Sequence, residues 1–182
     1  MHPILASSRS HPAPIAYNII FPPSAETLLD RTTRTSLPLH TLYQPATDPV
    51  THSKLVLKSD KFPWTIIVTS QSSQSRAGKT KSSGLGSPIV PVTNFDVFQA
   101  IHNTLSIRVT QDEWANLGHG SRAQRKASRA YEKRCQKMGG GWDDGVLRVD
   151  LLGEKSVLVG IEVDKDSNAE EGRVAKLIFA EA

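Results

Sequence analysis

Residues 92–138 read VTNFDVFQAIHNTLSIRVTQDEWANLGHGSRAQRKASRAYEKRCQKM, and their punctuation decides the fold class. Thr93 has the hydroxyl of a helix N-cap and Asp96 sits in the turn it opens, while Phe95, Phe98, Ile101 and Leu105 recur at helical spacing. Thr110-Gln111-Asp112-Glu113 is a capping box, in which the threonine and glutamate side chains satisfy each other's free amides, ahead of Trp114 and Leu117. Gly118 ends that short helix, Ser121 caps the next, and Gly139-Gly140-Gly141 stops it. Three successive helices are therefore expected, at 93–105, 110–117 and 121–138.

On both sides the period changes from helical to extended. IAYNIIF (15–21) is β-branched and aromatic and stops at Pro22-Pro23, which suits an edge strand or an extended segment leading into a turn. Residues 24–53 read mostly as loop, and KLVLK (54–58) with FPWTIIVTS (62–70) reads as a hairpin showing Trp64, Ile66 and Val68 on one face. After the helices, VLRVDLL (146–152) and SVLVGIEV (156–163) read as a second hairpin, and RVAKLIF (173–179) as a last strand. Strands, then helices, then strands predict an α+β fold, a mainly antiparallel sheet with the helices on one face. Residues 1–14 read as a mobile tail, 15–182 as a single domain, and the Ser/Gly/Lys stretch at 70–88 as a flexible loop.

Composition narrows the setting. A chain of 182 residues can bury a core without metal or disulfide staples, and 38% hydrophobic with 22% charged residues is a globular balance. The single cysteine, Cys135, rules out an internal disulfide. Proline and charge interrupt the N-terminal region where a secretory signal needs an apolar run, and no Asn-X-Ser/Thr acceptor occurs. An intracellular protein of cytoplasm or nucleus, with no membrane partner, is expected.

Several chemistries fail on their own residues. RAGKT (76–80) matches the end of a phosphate loop, but Ser73 stands where the first glycine belongs and Lys81 to Pro88 cannot begin the required helix. DKDSNAEEG (164–172) begins like a calcium loop, yet Ala169 and Ala175 occupy its glycine and glutamate positions. His2, His11, His40, His52, His102 and His119 have no zinc-ligand spacing, and GHGSR is not a nucleophile elbow. His102 reads as a partly buried structural imidazole and Cys135 as a buried small hydrophobe. Asp143 and Asp144 read as a turn, and Asp150 as mid-strand with Arg148 for a partner. No catalytic residue, cofactor or metal site follows.

The basic stretch 122–137 offers one further possibility. Ala123, Ala127, Ala130, Tyr131, Cys135 and Met138 make a packing stripe, leaving Arg122, Arg125, Lys126, Arg129, Lys133 and Lys137 outward. Such a face, with Arg76, Lys79 and Lys81, can neutralise phosphates, although a solvated face is the simpler reading. Ser128 follows Arg125-Lys126 as a basophilic kinase prefers, and phosphate there would cancel part of the field.

The order of IAYNIIFPPS, YQPATDP (43–49), FPWTIIV, VTNFDVFQAIHNTLSIRVTQDEW, AYEKRC (130–135) and LRVDLLG (147–153) resembles an uncharacterised family common in mushroom-forming basidiomycete fungi. That family shows a Pro-Trp strand and a V-D-F-L-G-like hairpin; Leu151-Leu152 and the insertion at 70–88 depart from its pattern. The resemblance implies an intracellular fungal domain without an assigned activity. The function expected is binding to a protein partner through exposed Trp64, Trp142 or Tyr43; the alternative is nucleic-acid binding through the basic face. An enzyme would require a pocket in which His102, Asp150 or a serine meets a partner.

Overall fold

The computed structural model describes residues 1–8, 11–52, 54–70, 90–163 and 173–181. Its strands are β1 (Ile15–Asn18), β2 (Leu28–Asp30), β3 (Leu55–Ser59), β4 (Phe62–Val68), β5 (Val157–Val163) and β6 (Arg173–Ala180). They form one mixed sheet in the order β2-β1-β5-β6-β3-β4. Every neighbouring pair is antiparallel except β3 with β6, so the sheet is mostly antiparallel and the fold is α+β. A parallel neighbour cannot be reached by a tight turn. The chain therefore travels from β4 through its helices to β5 before β6 lies down beside β3.

Those helices are α1 (Leu39–Leu42), α2 (Asn94–Leu105), α3 (Gln111–Asn116) and α4 (Arg122–Met138). Thr93 Oγ1 accepts from Asp96 N at 3.2 Å while Asp96 Oδ2 accepts from Thr93 N at 2.8 Å, closing the expected capping box of α2. The buried side of α2, with Val97, Phe98, Ile101 and Leu105, packs against β4, and Tyr17 of β1 meets Phe98 edge-on at 5.5 Å. Thr110 and Glu113 close the same box on α3. Ser121 Oγ accepts from Gln124 N at 3.1 Å to start α4, and Gly139 ends it in the left-handed conformation at φ 68°.

Four expectations are corrected or refined by the structure. Residues 1–8 and 11–14 are not a free tail: Ile4, Leu5 and Ala13 are buried in the core, and Ser7 N and Leu5 O bond to Ile161 of β5. This crossing needs Gly160, where a Cβ would lie 2.4 Å from that of Ser7. Residues 24–53 are mostly loop, as expected, but also hold β2 and the single turn α1, which is tied to α2 by Asn94 Nδ2 donating to Thr41 O at 2.8 Å.

The third correction concerns 146–152. Arg148–Leu152 is a 3₁₀ helix, not a strand. Val146 O and Arg148 N bond to the connector 107–109 between α2 and α3, and Asp150 Oδ2 accepts from Leu147 N at 2.8 Å, folding the chain into a turn. Fourth, α2 lies on the sheet, but α4 packs chiefly on this 3₁₀ helix. Its buried residues are Gln124, Ala127, Arg134 and Cys135, while Ala123 and Met138 are exposed. Buried Gln124 is satisfied by Gly120 N and Trp114 O, which fixes the corner between α3 and α4.

The stretch 71–88, with Arg76, Lys79 and Lys81, and the acidic stretch 164–172 lie outside the described residues; Ser70 is buried. No helix among the described residues is long and apolar enough to cross a membrane.

Candidate functional site

Three strand ends meet at one end of the sheet: Ile20 follows β1, Ser156 precedes β5 and Glu181 follows β6. Across this end runs α4, and between them lies a cleft of about 600 Å³. Arg122, Arg125, Lys126, Arg129, Lys133 and Lys137 all line it, so the six residues expected to share a basic face form the wall of a concavity. From 122 to 137 at 1.5 Å per residue that wall is ~22 Å long. Ile20, Gly153, Glu154, Ser156 and Glu181 form the other side.

The cations differ in what already engages them. Lys133 Nζ is 2.6 Å from Glu154 Oε1, a solvent-exposed pair in which the lysine charge and hydrogen bond lower the Glu154 pKa. Lys126 lies over Gly153, where a Cβ would come within 2.1 Å of its Cε; the lysine end can move aside, so it is φ 65° at Gly153 that favours glycine. Lys137 Nζ stands 5.7 Å from the centre of the Phe21 ring, and Arg125 Nη1 donates to Gly120 O. Arg122 and Arg129 have no ion-pair partner among the described residues. The unspent positive charge is thus concentrated in the N-terminal half of the wall.

Arg134 lines the same cleft but serves the fold. Its Nε and Nη2 donate to Asp150 Oδ1 and Oδ2 at 2.9 and 3.1 Å, and Nη2 also donates to Gly145 O at 2.8 Å. Both side chains are 2% exposed. Burial opposes the guanidinium charge, and the hydrogen bonds and charge of Asp150 more than offset it, raising the Arg134 pKa. The expected partner of Asp150, Arg148, instead bonds to Glu113 and lies over the Trp64 ring.

A second cleft, of about 520 Å³, adjoins the first through Ile20 and Arg134 and contains His102 and Ser106. His102 Nδ1 is 3.1 Å from Ile19 O, an oxygen that can only accept, so Nδ1 carries the proton and Nε2 is left as an acceptor. Ser106 Oγ is 3.4 Å from Nε2. A serine and an imidazole do meet here, as an enzyme would need, while Asp150 stays bound to Arg134. Ser106 is also the C-cap of α2, its N–H donating to His102 O at 2.9 Å, so the pair closes the helix end.

Burial pushes the His102 pKa below its ordinary value, with the Ile19 bond opposing. A depressed histidine adds no penalty above its unfolded pKa of about 6.5 and destabilises the fold progressively as pH falls below it. Arg108 and Arg134 face the same cleft and oppose protonation; Asp143 and Asp144 favour it. His102→Asn, whose amide can still donate to Ile19 O, is expected to flatten this loss. Urea midpoints at neutral pH and at about pH 5.5 check it; a wild-type difference retained in the variant would refute the assignment.

Ser128 is half-buried in the middle of α4 and is not on the cleft wall. The three aromatics considered for docking have separate neighbours. Tyr43, 64% exposed, lies against Phe95; Trp142 meets Tyr131 edge-on; Trp64 stacks on Phe62 beneath Arg148. Cys135 is buried, as expected. Among the described residues no three His, Cys, Asp or Glu side chains converge as metal ligands.

The far wall of the basic cleft is what reading the sequence missed. Gly153 was legible as a turn residue, but nothing local says that Lys126 crosses it. No curated protein and no solved structure matches the chain. The family described as a "Family of unknown function (DUF6699)" matches residues 15–171, most of the chain and nearly the span over which the motifs follow one another, and the chain belongs to that family.

Proposed function

We propose that this protein acts by binding rather than by catalysis, and that the cleft beside α4 receives an acidic segment of a protein partner. The observation that carries this reading is the concave row of cations, in which Arg122 and Arg129 lack acidic partners among the described residues. Charge on a flat helix face is ordinary; charge gathered around a hollow whose lining also includes the apolar side chains of Ile20 and Ala130 suits a ligand. An extended peptide rises about 3.3 Å per residue, so ~22 Å accepts about seven residues. Nucleic acid is the weaker fit, because among the described residues no aromatic side chain lines the cleft for bases to stack on.

The test is fluorescence anisotropy with a labelled peptide of about seven mixed Asp, Glu and Ala residues, a neutral peptide, and a single-stranded oligonucleotide of matched charge. The acidic peptide is expected to bind, to weaken with added salt, and to lose at least about tenfold in affinity on Arg122→Glu with Arg129→Glu. Equal binding of the neutral peptide, or tighter binding of the oligonucleotide, overturns the reading.

The same proposal places the protein inside a fungal cell, supported by the basidiomycete-like motif order and by a lone buried cysteine. Control through Ser128 is not part of it, since a kinase would have to unwind α4 around a half-buried residue.

A further inference from the structure

We infer that the ligand segment carries a phosphorylated residue, held at the arginine end of the cleft by Arg122, Arg125 and Arg129. This rests on the cleft being the binding site and adds its chemical selectivity. The wall is not uniform: three of its cations in the N-terminal half are arginines at i, i+3 and i+7, while those of the C-terminal half are Lys133, Lys137 and an Arg134 already bound to Asp150. Successive members of the arginine row have Cβ atoms about 5–6 Å apart, so adjacent guanidinium groups can close on one anion. A guanidinium presents a planar fork that matches phosphate oxygens two at a time, whereas an ammonium offers a point charge.

Charge balance separates the two ends further. Lys133 is already matched by Glu154 at 2.6 Å, so a carboxylate of the protein itself occupies the lysine end. Arg122 and Arg129 are matched by nothing acidic among the described residues, and Arg125 is engaged only by a backbone carbonyl. One carboxylate would leave that end under-neutralised. A phosphomonoester, with a charge of about −1.5 to −2 and three acceptor oxygens, comes closer to balancing it than a carboxylate does. Phosphoserine or phosphothreonine within an acidic stretch therefore fits both ends, its phosphate on the arginines and a following carboxylate displacing Glu154 from Lys133.

Three labelled peptides of about seven residues, identical except for phosphoserine, glutamate or serine at the centre, test this against the full chain at physiological salt. The phosphopeptide is expected to bind about tenfold tighter than the glutamate peptide. Arg129→Lys, which keeps the charge and removes the fork, should erase most of that preference while changing affinity for the glutamate peptide less than about threefold. Glu154→Gln should tighten both acidic peptides by freeing Lys133. The phosphate preference should fade below about pH 6, where the phosphate takes its second proton. Among the described residues the cleft carries no histidine to imitate that step; its other titratable side chains besides the arginines are Glu154, Glu181, Lys126, Lys133 and Lys137.

Equal affinity for the phosphoserine and glutamate peptides overturns this inference and leaves the acidic-segment reading standing. Binding of neither peptide overturns both. Competition by an oligonucleotide or by phosphoinositide vesicles at lower phosphate concentration than the phosphopeptide also overturns it, in favour of those ligands.

Discussion

Asp150→Ala is expected to destabilise the fold by about 3–5 kcal/mol, because it strands the Arg134 charge in a buried site. The carboxylate accepts two bonds from Arg134 and one from Leu147 N, so its loss unsatisfies three donors on two elements. Gly145 O and the face of Tyr131, 5.5 Å from the guanidinium, remain, and neither carries a formal negative charge. Both partners are 2% exposed, so water cannot replace the missing carboxylate without opening the contact between α4 and the 3₁₀ helix. Urea unfolding followed by circular dichroism measures the effect. Arg134→Met combined with Asp150→Leu should recover much of the loss, since removing both charges removes the uncompensated one. A single-mutant cost below about 1 kcal/mol would show the pair to be hydrated in solution.

The same pair marks where the sequence stops being readable. The starts of α2, α3 and α4 could be read because each is written within four residues: Thr93 with Asp96, Thr110 with Glu113, Ser121 with Gln124. VLRVDLL could not, because it alternates as a strand does. What bends it is a carboxylate bonded to an amide three residues back and to an arginine sixteen residues back on a different element. Ile4 and Leu5 were hidden likewise: two apolar residues among prolines and serines have no period, and only β5 with its bare Gly160 gives them somewhere to bind.

The candidate site divides along the same line. Its cationic wall is a single helix face, so Arg122, Arg125, Lys126, Arg129, Lys133 and Lys137 could be gathered from helical spacing. The opposing wall is made by ends of β1, β5 and β6, which the sheet order brings together from residues 20, 156 and 181. Local reading could therefore find a charged face but not that the face closes a hollow. That step makes the helix face one wall of a candidate site.

Glu113→Ala is expected to cost about 2–3 kcal/mol and to loosen the junction between α3, β4 and the 3₁₀ helix. Its Oε1 accepts from Trp64 Nε1 at 2.6 Å and from Arg148 Nη2 and Nε at 2.7 and 3.1 Å, while Oε2 caps α3 through Thr110 N at 2.9 Å. Arg148 lies 4.6 Å over the Trp64 ring, so without the carboxylate that clamp loses its anchor while its charge stays partly buried. Burial works to raise the Glu113 pKa, and the bonds from Thr110, Arg148 and Trp64 outweigh it, leaving the pKa below its ordinary value. A depressed carboxylate stabilises the fold above its unfolded pKa of about 4.3 and loses that contribution as pH falls through its folded value. The gap in stability between wild type and Glu113→Ala should therefore be full at neutral pH and shrink in acid. Glu113→Gln separates shape from charge: it can still accept bonds, so its cost at neutral pH should be smaller, and the variant's own stability should lack the acid loss that Glu113 contributes. Urea midpoints across this range, with tryptophan fluorescence reporting the Trp64 environment, decide it. A gap that stays constant into acid would mean that Glu113 acts through packing alone, and the ion pair with Arg148 would then contribute nothing measurable.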